Sequence, residues 1–296
     1  NNVAMKAEID SLLVAVNSEM STYDPQSEIS MFNQSTELNT WVPVSGRFAR
    51  TTAKALHFAE LSDGAFDPTI GPLVNLWGFG PEATADLLPS KSEVSEAKAR
   101  VGFEAIKVTL ADDEGNAALY KSANRELDLS AIAKGQGVDE VFNLLHRRGY
   151  TNYLVEIGGE IRVKGDKNGS GWRIAIEKPT RDQKSVEQVL TLSDISLATS
   201  GDYRNYRKID GITYSHTLDA KTGWPVTHSL ASVTVAESSC ASADGLATTL
   251  LVLGPEAGYE MAIEQDLAVL FIERSANGFV VSQTPQFERL LAGDTR

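Results

Sequence analysis

Residues 153–164 read YLVEIGGEIRVK, and this stretch decides the fold class. Two short strand-like segments, residues 153–157 and 161–164, stand on either side of Gly158 and Gly159. A double glycine between strands is usually a hairpin or a bulge, although residues 156–160 also resemble a glycine turn that accommodates phosphate. The stretch therefore predicts neighbouring strands that run antiparallel.

The rest of the chain alternates short strands with helices. Turn residues separate further predicted strands at about residues 106–110, 117–121, 126–129, 172–177, 186–192, 212–218, 230–236, 268–273 and 279–282. Periodicity and capping residues predict helices at about residues 1–20, 45–61, 90–100, 136–148, 241–253 and 255–265. Runs of strands interrupted by helices predict an α+β fold with mixed, mostly antiparallel sheets and flanking helices.

Composition and charge exclude several classes of protein. With 42% hydrophobic residues among 296, the chain can bury a substantial core, and its single Cys240 excludes an intrachain disulfide or a cysteine-based metal cluster. The formal net charge of −13 argues against a nucleic acid partner, since phosphate backbones need clustered lysine and arginine. No run approaches the roughly 18 apolar residues of a membrane helix. Because the chain begins at Asn1, we expect that an upstream targeting segment is missing.

Glycine and proline are dense in residues 63–80, DGAFDPTIGPLVNLWGFG. Four glycines and two prolines disfavour a helix or a long strand, so the pattern predicts a fixed irregular loop around the isolated acid Asp67. Irregular loops with embedded aromatic residues often hold ligands.

Asp244 and Thr248 lie four residues apart at the start of an apolar helix and therefore share one helical face. Two oxygens on one face suit Mg²⁺, which usually takes one or two carboxylates and completes its shell with carbonyls, water and substrate phosphates. The alternative is that Asp244 caps the helix while Thr248 bonds to a backbone carbonyl. The pattern alone leaves both open and favours capping.

Lys134 and His216 are two further candidates. Lys134 follows Asp128 near the start of a helix, where a lysine is poorly placed for the helix dipole unless an anion lies nearby. A solvated lysine in an ordinary turn is the alternative. His216 lies in a predicted strand, where a packed, hydrogen-bonded histidine is more common than a catalytic one.

Six stretches taken together resemble the FAD:protein FMN transferase family, the ApbE-type flavin transferases. They are residues 63–80, 127–135, 157–159, 199–206, 215–225 and 243–248, and they extend over nearly the whole chain. The resemblance implies a single transferase domain over residues 1–296, truncated at its N-terminus, with a T-fold-like architecture. It also implies the reaction: FAD is split at its pyrophosphate in the presence of Mg²⁺, FMN is attached through its phosphate to a threonine of a target protein, and AMP leaves.

The resemblance implies roles residue by residue. The positions that contact FAD are Tyr23, Ala65, Phe66, Asp67, Asp128, Lys134 and Leu218. The positions that bind magnesium are Asp244, Thr248 and, through its backbone carbonyl, Ala131. His216 matches the histidine that takes the proton of the acceptor threonine, a poor nucleophile at neutral pH.

The chain also departs from the family pattern. The family's opening Met-Gly-Thr element is absent before Asn1, so we expect less complete FAD binding than in a full-length parent. Some relatives carry a second acid at the position of Ala247, and others carry glutamate at the position of Lys134. The metal site here would therefore hold one carboxylate and rely more on phosphate oxygens.

The resemblance extends to partners and location. The natural acceptors in the family are exported, flavin-carrying subunits of membrane electron-transfer complexes, which implies a periplasmic enzyme anchored to the inner membrane as a lipoprotein. Two rival activities stay open at this point. One is a Mg²⁺-dependent FAD pyrophosphatase that releases free FMN and AMP, and the other is a flavin-binding protein without turnover.

Overall fold

The structure is a computed structural model that describes residues 2–81, 87–110, 116–180, 185–203 and 205–292. The α-helices are α1 (Asn2–Met20), α2 (Glu28–Gln34), α3 (Gly46–Leu61), α4 (Gly71–Leu76), α5 (Lys91–Lys98), α6 (Ser130–Arg147), α7 (Cys240–Leu253), α8 (Pro255–Glu264) and α9 (Pro285–Leu291). The strands are β1 (Trp41–Val44), β2 (Ile106–Thr109), β3 (Ala117–Lys121), β4 (Tyr153–Ile157), β5 (Glu160–Lys164), β6 (Trp172–Glu177), β7 (Val186–Leu192), β8 (Ser196–Gly201), β9 (Tyr206–Ile209), β10 (Ile212–Ser215), β11 (Leu218–Asp219), β12 (Trp224–Pro225), β13 (Leu230–Glu237), β14 (Ala268–Ser275) and β15 (Gly278–Gln283).

The backbone forms two compact units, and the first comprises residues 1–133 and 207–225. It contains α1 to α5, an antiparallel sheet in the order β1-β3-β2 and the short hairpin β11–β12. Trp77 lies at the centre of a buried apolar cluster that includes Leu73 and Leu218, and its indole nitrogen donates a hydrogen bond to the carbonyl of Gly223 at 2.9 Å.

The second unit comprises residues 134–206 and 226–296. Its six-stranded antiparallel sheet has the order β15-β14-β13-β8-β5-β4, and β6 and β7 form a separate antiparallel pair. Nearly every side chain of α7 is buried, as is β13, because this helix packs on β13 and β8. The helix is therefore enclosed by protein on almost all sides, and an acid within it needs a specific partner.

The hairpin predicted at residues 153–164 is confirmed. β4 and β5 pair antiparallel, with Ile157 opposite Glu160, and the turn between them is Gly158-Gly159. Both glycines have positive φ, 64° and 104°, which a residue with a side chain adopts only at a cost. The α+β class and the mostly antiparallel sheets are confirmed as well.

The strand predicted at residues 126–129 is wrong. This segment belongs to no strand. The amide side chain of Asn33 takes the place of a strand partner: its Oδ1 accepts from the backbone N–H of Leu127 at 2.7 Å, and its Nδ2 donates to the Leu127 carbonyl at 2.8 Å. A residue 94 positions away thus satisfies the backbone groups that a sheet would otherwise pair.

Other elements near the candidate site residues also differ from the prediction. The predicted loop at residues 63–80 contains the helix α4, which Pro72 favours because a proline in the first turn of a helix removes no needed donor. The predicted strand at residues 212–218 is split, since Ser215 Oγ accepts from the backbone of Thr217 and forms a turn at His216. Helix α6 begins at Ser130, so Lys134 lies inside it.

Two further predictions concern Arg204 and membrane-spanning helices. Arg204, which belongs to the stretch 199–206 that carries the resemblance, lies outside the described residues. Within the described ranges, none of the helices combines the length and the apolar character needed to cross a bilayer.

Candidate functional site

Asp244 lies in the second turn of α7 and is buried there. The N-cap of α7 is Ser239, whose side chain accepts from the backbone of Ser242 at 3.3 Å, so Asp244 does not cap its own helix. Its carboxylate instead faces α6: Oδ2 accepts from the backbone N–H of Gly135 at 2.9 Å, and Oδ1 accepts from Nζ of Lys134 at 3.3 Å. The capping alternative therefore does not account for this acid.

Gly135 allows α6 to approach the beginning of α7. A Cβ atom at this position would lie 2.3 Å from the carbonyl oxygen of Cys240 and 2.8 Å from Cα of Ala241. Both are backbone atoms, which cannot move aside as the end of a side chain can. Glycine is therefore required where the Asp244 carboxylate meets the α6 backbone.

Asp139, one turn further along α6, binds the N-terminus of α7. Its carboxylate accepts from the backbone N–H groups of Cys240 at 3.0 Å and Ala241 at 3.1 Å, and from the hydroxyl of Ser239 at 2.7 Å. Arg162 of β5 pairs with the same carboxylate at 2.5 Å. Because a helix N-terminus has unpaired N–H groups and a partial positive charge, this acid fixes the start of α7 against α6.

Lys134, Glu160 and Asp244 form a charged cluster. Lys134 Nζ lies 2.6 Å from Oε1 of Glu160, closer than the 3.3 Å to Asp244. The pKa of Asp244 is raised to about 7: burial is the largest cause, the Lys134 ammonium opposes it, and the neighbouring Glu160 adds to the increase. Burial likewise raises the pKa of Glu160 against the opposing effect of Lys134. Burial lowers the pKa of Lys134, but the two carboxylates outweigh it and the pKa is raised overall.

The donor set at Asp244 and Thr248 is compatible with Mg²⁺. Thr248 lies one turn after Asp244, and its hydroxyl pairs with the hydroxyl of Ser200 at 2.8 Å. Across the described ranges, no group of three or more His, Cys, Asp or Glu side chains is arranged to hold a metal ion. Mg²⁺ needs no such group, because it commonly takes one or two carboxylates together with water and substrate phosphates. Asp244 already faces a cation, the Lys134 ammonium, which fits a role in cation binding.

Ala131 lies in the first turn of α6, one turn before Gly135, and it belongs to the first unit whereas Asp244 belongs to the second. His216 also belongs to the first unit. It lies half-buried in the turn between β10 and β11, with its ring edge-on to Phe79 at a centroid distance of 6.2 Å. The structure thus places the predicted histidine next to the end of the glycine-rich stretch 63–80.

The loop around Asp67 is held in a fixed shape, as predicted. Asp67 is buried: its Oδ1 accepts from the backbone and the hydroxyl of Thr69, both at 2.7 Å, and its Oδ2 accepts from the backbone of Phe103 at 3.0 Å. Burial raises the pKa of Asp67, and these hydrogen bonds oppose it. The carboxylate therefore shapes the loop, and its predicted contact with FAD stays a prediction.

Several positions predicted to contact FAD are adjacent within the first unit. The backbone of Asp128 donates to the carbonyl of Pro68 at 2.7 Å, and the backbone of Ala220, two residues after Leu218, donates to the carbonyl of Ala65 at 3.3 Å. Leu218 and Phe66 have buried side chains. Tyr23 lies in the turn between α1 and α2 with 70% of its surface exposed. Asp128 accepts from the backbone of Ser130 through Oδ1 and so holds the start of α6.

The ApbE family model matches residues 2–271 of the chain. The chain belongs to the ApbE family. An ApbE relative from Vibrio cholerae named "FAD:protein FMN transferase" is 45% identical over 97% of this chain and 85% of its own length. The solved structure titled "Flavin Transferase ApbE from Vibrio cholerae" has a TM-score of 0.87 at 44% identity, covering 97% of this chain and 90% of that one. The ApbE structure titled "Pseudomonas stutzeri flavinyl transferase ApbE, apo form" has the same TM-score at 38% identity, covering 98% and 89%.

These matches confirm the predicted family, and they place the chain among relatives that are named transferase enzymes. The roles of individual residues stay predictions.

Sequence reasoning missed Glu160 and Asp139. Glu160 directly follows the double glycine at a strand position that the structure buries, and a buried acid indicates a partner. Asp139 lies four residues after Gly135 on the same face of α6. Of these two signals only the spacing of Asp139 and Gly135 is present in the sequence, and it does not identify the partner.

Proposed function

We propose that this chain is a Mg²⁺-dependent FAD:protein FMN transferase that attaches FMN to a threonine of a target protein and releases AMP. The names of its ApbE relatives support the transfer of FMN. The observation that carries the metal-dependent part is the buried Asp244 carboxylate, which faces a cation from within a mostly apolar, buried helix. Such a carboxylate is costly unless it serves to bind a positive charge.

Asp244 and Thr248, with the carbonyl of Ala131, are proposed to hold the Mg²⁺ ion. When bound, the ion supplies charge neutralisation for the phosphate oxygens of FAD. Lys134 is proposed to bind a phosphate oxygen, since its ammonium is the partly exposed member of the buried charged cluster. The loop containing Ala65, fixed by the hydrogen bonds of Asp67, is proposed to contact FAD in the first unit.

His216 is proposed to accept the proton of the acceptor threonine. The threonine oxygen attacks the phosphorus atom on the FMN side of the pyrophosphate, forming one P–O bond while the bond to the bridging oxygen breaks. AMP leaves with that oxygen and its electron pair, and the threonine proton passes to the imidazole nitrogen. General base assistance of this kind contributes roughly 10²–10⁴-fold to the rate.

Product analysis tests this proposal. The protein is incubated with FAD, Mg²⁺ and an acceptor protein, and AMP, free FMN and flavin bound to the denatured acceptor are quantified. Transfer predicts one AMP for each acceptor-bound flavin. AMP accompanied only by free FMN would instead indicate the pyrophosphatase, in which water replaces threonine, and bound FAD without any AMP would indicate a flavin-binding protein.

The proposed acceptor is an exported, flavin-carrying subunit of a membrane electron-transfer complex, and the proposed site of action is the periplasm, with the enzyme anchored to the inner membrane as a lipoprotein. The resemblance to the family supports this part of the proposal. Fractionation of cells that express the full-length precursor tests it: activity in the membrane fraction, accessible from the periplasm, is expected.

A further inference from the structure

Lys134 is shared between two buried carboxylates in the second unit. Its Nζ lies 2.6 Å from Oε1 of Glu160 and 3.3 Å from Oδ1 of Asp244. The side chains of the two acids are 3% and 2% exposed, whereas that of Lys134 is 45% exposed. The shorter distance makes Glu160 the stronger partner, and the longer one leaves Asp244 only weakly bound to the ammonium.

The Glu160 carboxylate can accept a further hydrogen bond in this arrangement. Its Oε2 atom is buried and has no hydrogen-bond partner in the part of the chain that the structure describes. One ammonium faces two carboxylates, so the cluster carries an excess negative charge when all three groups are ionised. A buried carboxylate oxygen without a partner is costly, and the cluster therefore favours the arrival of a further cation.

The turn next to this cluster leaves room for the stem of Lys134. A Cβ atom at Gly158 would lie 3.2 Å from Cδ of Lys134 and 3.4 Å from Oε2 of Glu160. The absence of a side chain there allows the lysine to remain beside Glu160 while its contact with Asp244 lengthens.

We propose that Lys134 competes with the divalent cation for Asp244, and that Glu160 retains the displaced ammonium when the metal binds. This inference rests on the proposed function, which assigns Asp244 to Mg²⁺. Two cations beside one carboxylate oxygen repel each other, so Asp244 cannot bind both at full strength. Because Lys134 stays paired with Glu160, its displacement from Asp244 costs little free energy. The metal affinity is therefore set by how strongly Lys134 binds Asp244 relative to Glu160.

Competition predicts that substitutions of Lys134 and Glu160 change the affinity for the divalent cation in opposite directions. In Lys134→Met the competing charge is gone and two carboxylates remain, so the divalent cation should bind about tenfold more tightly. In Glu160→Gln the ammonium has only Asp244 as a charged partner, so the cation should bind about tenfold more weakly. If the cluster were only a structural brace, removal of either partner would disturb Asp244, and both substitutions would weaken binding.

A double variant guards against misfolding of Lys134→Met, in which two buried acids lose their partner. Glu160→Gln/Lys134→Met removes one charge of each sign and keeps the net charge of the wild type. It should bind the cation more tightly than Glu160→Gln alone, because the double variant lacks the competing ammonium that Glu160→Gln retains, while Asp244 is intact in both. Lys164→Met is the matched control: it removes a lysine that pairs with Asp194 at the far end of β5, and it should leave metal affinity unchanged.

Metal binding is measured directly, without FAD, by electron paramagnetic resonance titration of the chelator-treated protein with Mn²⁺ and by competition with Mg²⁺. Tighter binding in Lys134→Met, weaker binding in Glu160→Gln and recovery in the double variant support the inference. Suppose that Asp244→Asn abolishes Mn²⁺ binding, that both single variants bind Mn²⁺ more weakly than wild type, and that the double variant shows no recovery. The competition is then refuted while the proposed function stands. If Asp244→Asn binds Mn²⁺ as well as wild type, the metal assignment in the proposed function is wrong, and the competition is refuted with it.

Discussion

At the scale of single residues, the position of Asp244 depends on the absence of a side chain at Gly135. The amide of Gly135 donates to Asp244, and the space where its Cβ would be is taken by the backbone of Cys240. The neighbouring Lys134 adds the positive charge. Two consecutive residues of α6 thus supply the steric and the electrostatic conditions for a buried acid in α7.

Gly135→Ala should destabilise the protein, because its Cβ would lie 2.3 Å from a carbonyl oxygen and would force α6 and α7 apart. We expect the free energy of unfolding to fall by roughly 1–3 kcal/mol, as measured by urea denaturation. Gly71→Ala is the control, since its Cβ would make an ordinary contact at 3.4 Å with the Glu126 carbonyl. Equal stability of the two variants would contradict the close approach of the helices.

His228 makes a pH-dependent contribution to stability. Both ring nitrogens are buried, and burial lowers the pKa of this histidine against the opposing effect of the backbone at Leu251 and Val252. The folded state therefore favours the neutral ring, so this stability is present above the ordinary histidine pKa of about 6.5 and is lost as the pH falls below it. In His228→Leu the decrease in unfolding free energy between pH 7.5 and pH 5 should be smaller than in wild type. An identical pH profile would contradict this origin.

At the scale of elements, Asp139 connects α6, α7 and β5. It accepts from the first amides of α7 and pairs with Arg162, whose guanidinium also lies 3.9 Å from the centre of the Phe142 ring. The relative position of α6 and α7 in the second unit is therefore fixed at two points one turn apart, Gly135 and Asp139. The charged cluster around Asp244 lies at the first of these points.

Asp139→Asn should lower the free energy of unfolding by about 2–3 kcal/mol, because an amide cannot pair with Arg162 and presents a donor to the N–H groups of α7. Asp10→Asn is the matched control: its partner Lys6 lies one turn away on the exposed side of α1, and the change should stay within about 0.5 kcal/mol. Denaturation curves that coincide for the two variants would show that Asp139 does not hold α7.

Local features of the fold could be predicted from the sequence, and distant pairings could not. The Gly158-Gly159 hairpin and the helix that begins after Ser90 follow from neighbouring residues, and both were predicted. The pairing of Asn33 with Leu127 joins residues 94 positions apart, so it left no local pattern and a strand was predicted in its place. Propensity describes what a segment favours alone, and a partner from elsewhere in the chain can override it.

The candidate site shows the same limit. Asp244, Thr248 and Lys134 were candidates from their local pattern and from their match to positions of the family, but the partnership of Lys134 and Asp244 spans 110 residues. Glu160 was missed because its sequence neighbours indicate only a strand after a turn. Its burial and its unpaired oxygen became visible once the chain had folded.

At the scale of the whole molecule, the residues proposed to bind FAD and the metal belong to both units. The positions proposed to contact FAD lie in the first unit except for Lys134, and those proposed to hold the metal lie in the second except for Ala131. Helix α6 contributes to both sets, with Ala131 and Lys134 one turn apart. Each unit alone carries an incomplete set of these residues, so we expect FMN transfer to require the whole chain.

The most direct measurement is the intact mass of a candidate acceptor protein after reaction with FAD and Mg²⁺. The account predicts a mass increase equal to one FMN less one water, confined to a threonine and absent both in Asp244→Asn and when the acceptor threonine is replaced by valine. An acceptor whose mass stays unchanged while FAD is consumed to FMN and AMP, or one modified equally by Asp244→Asn, would contradict it.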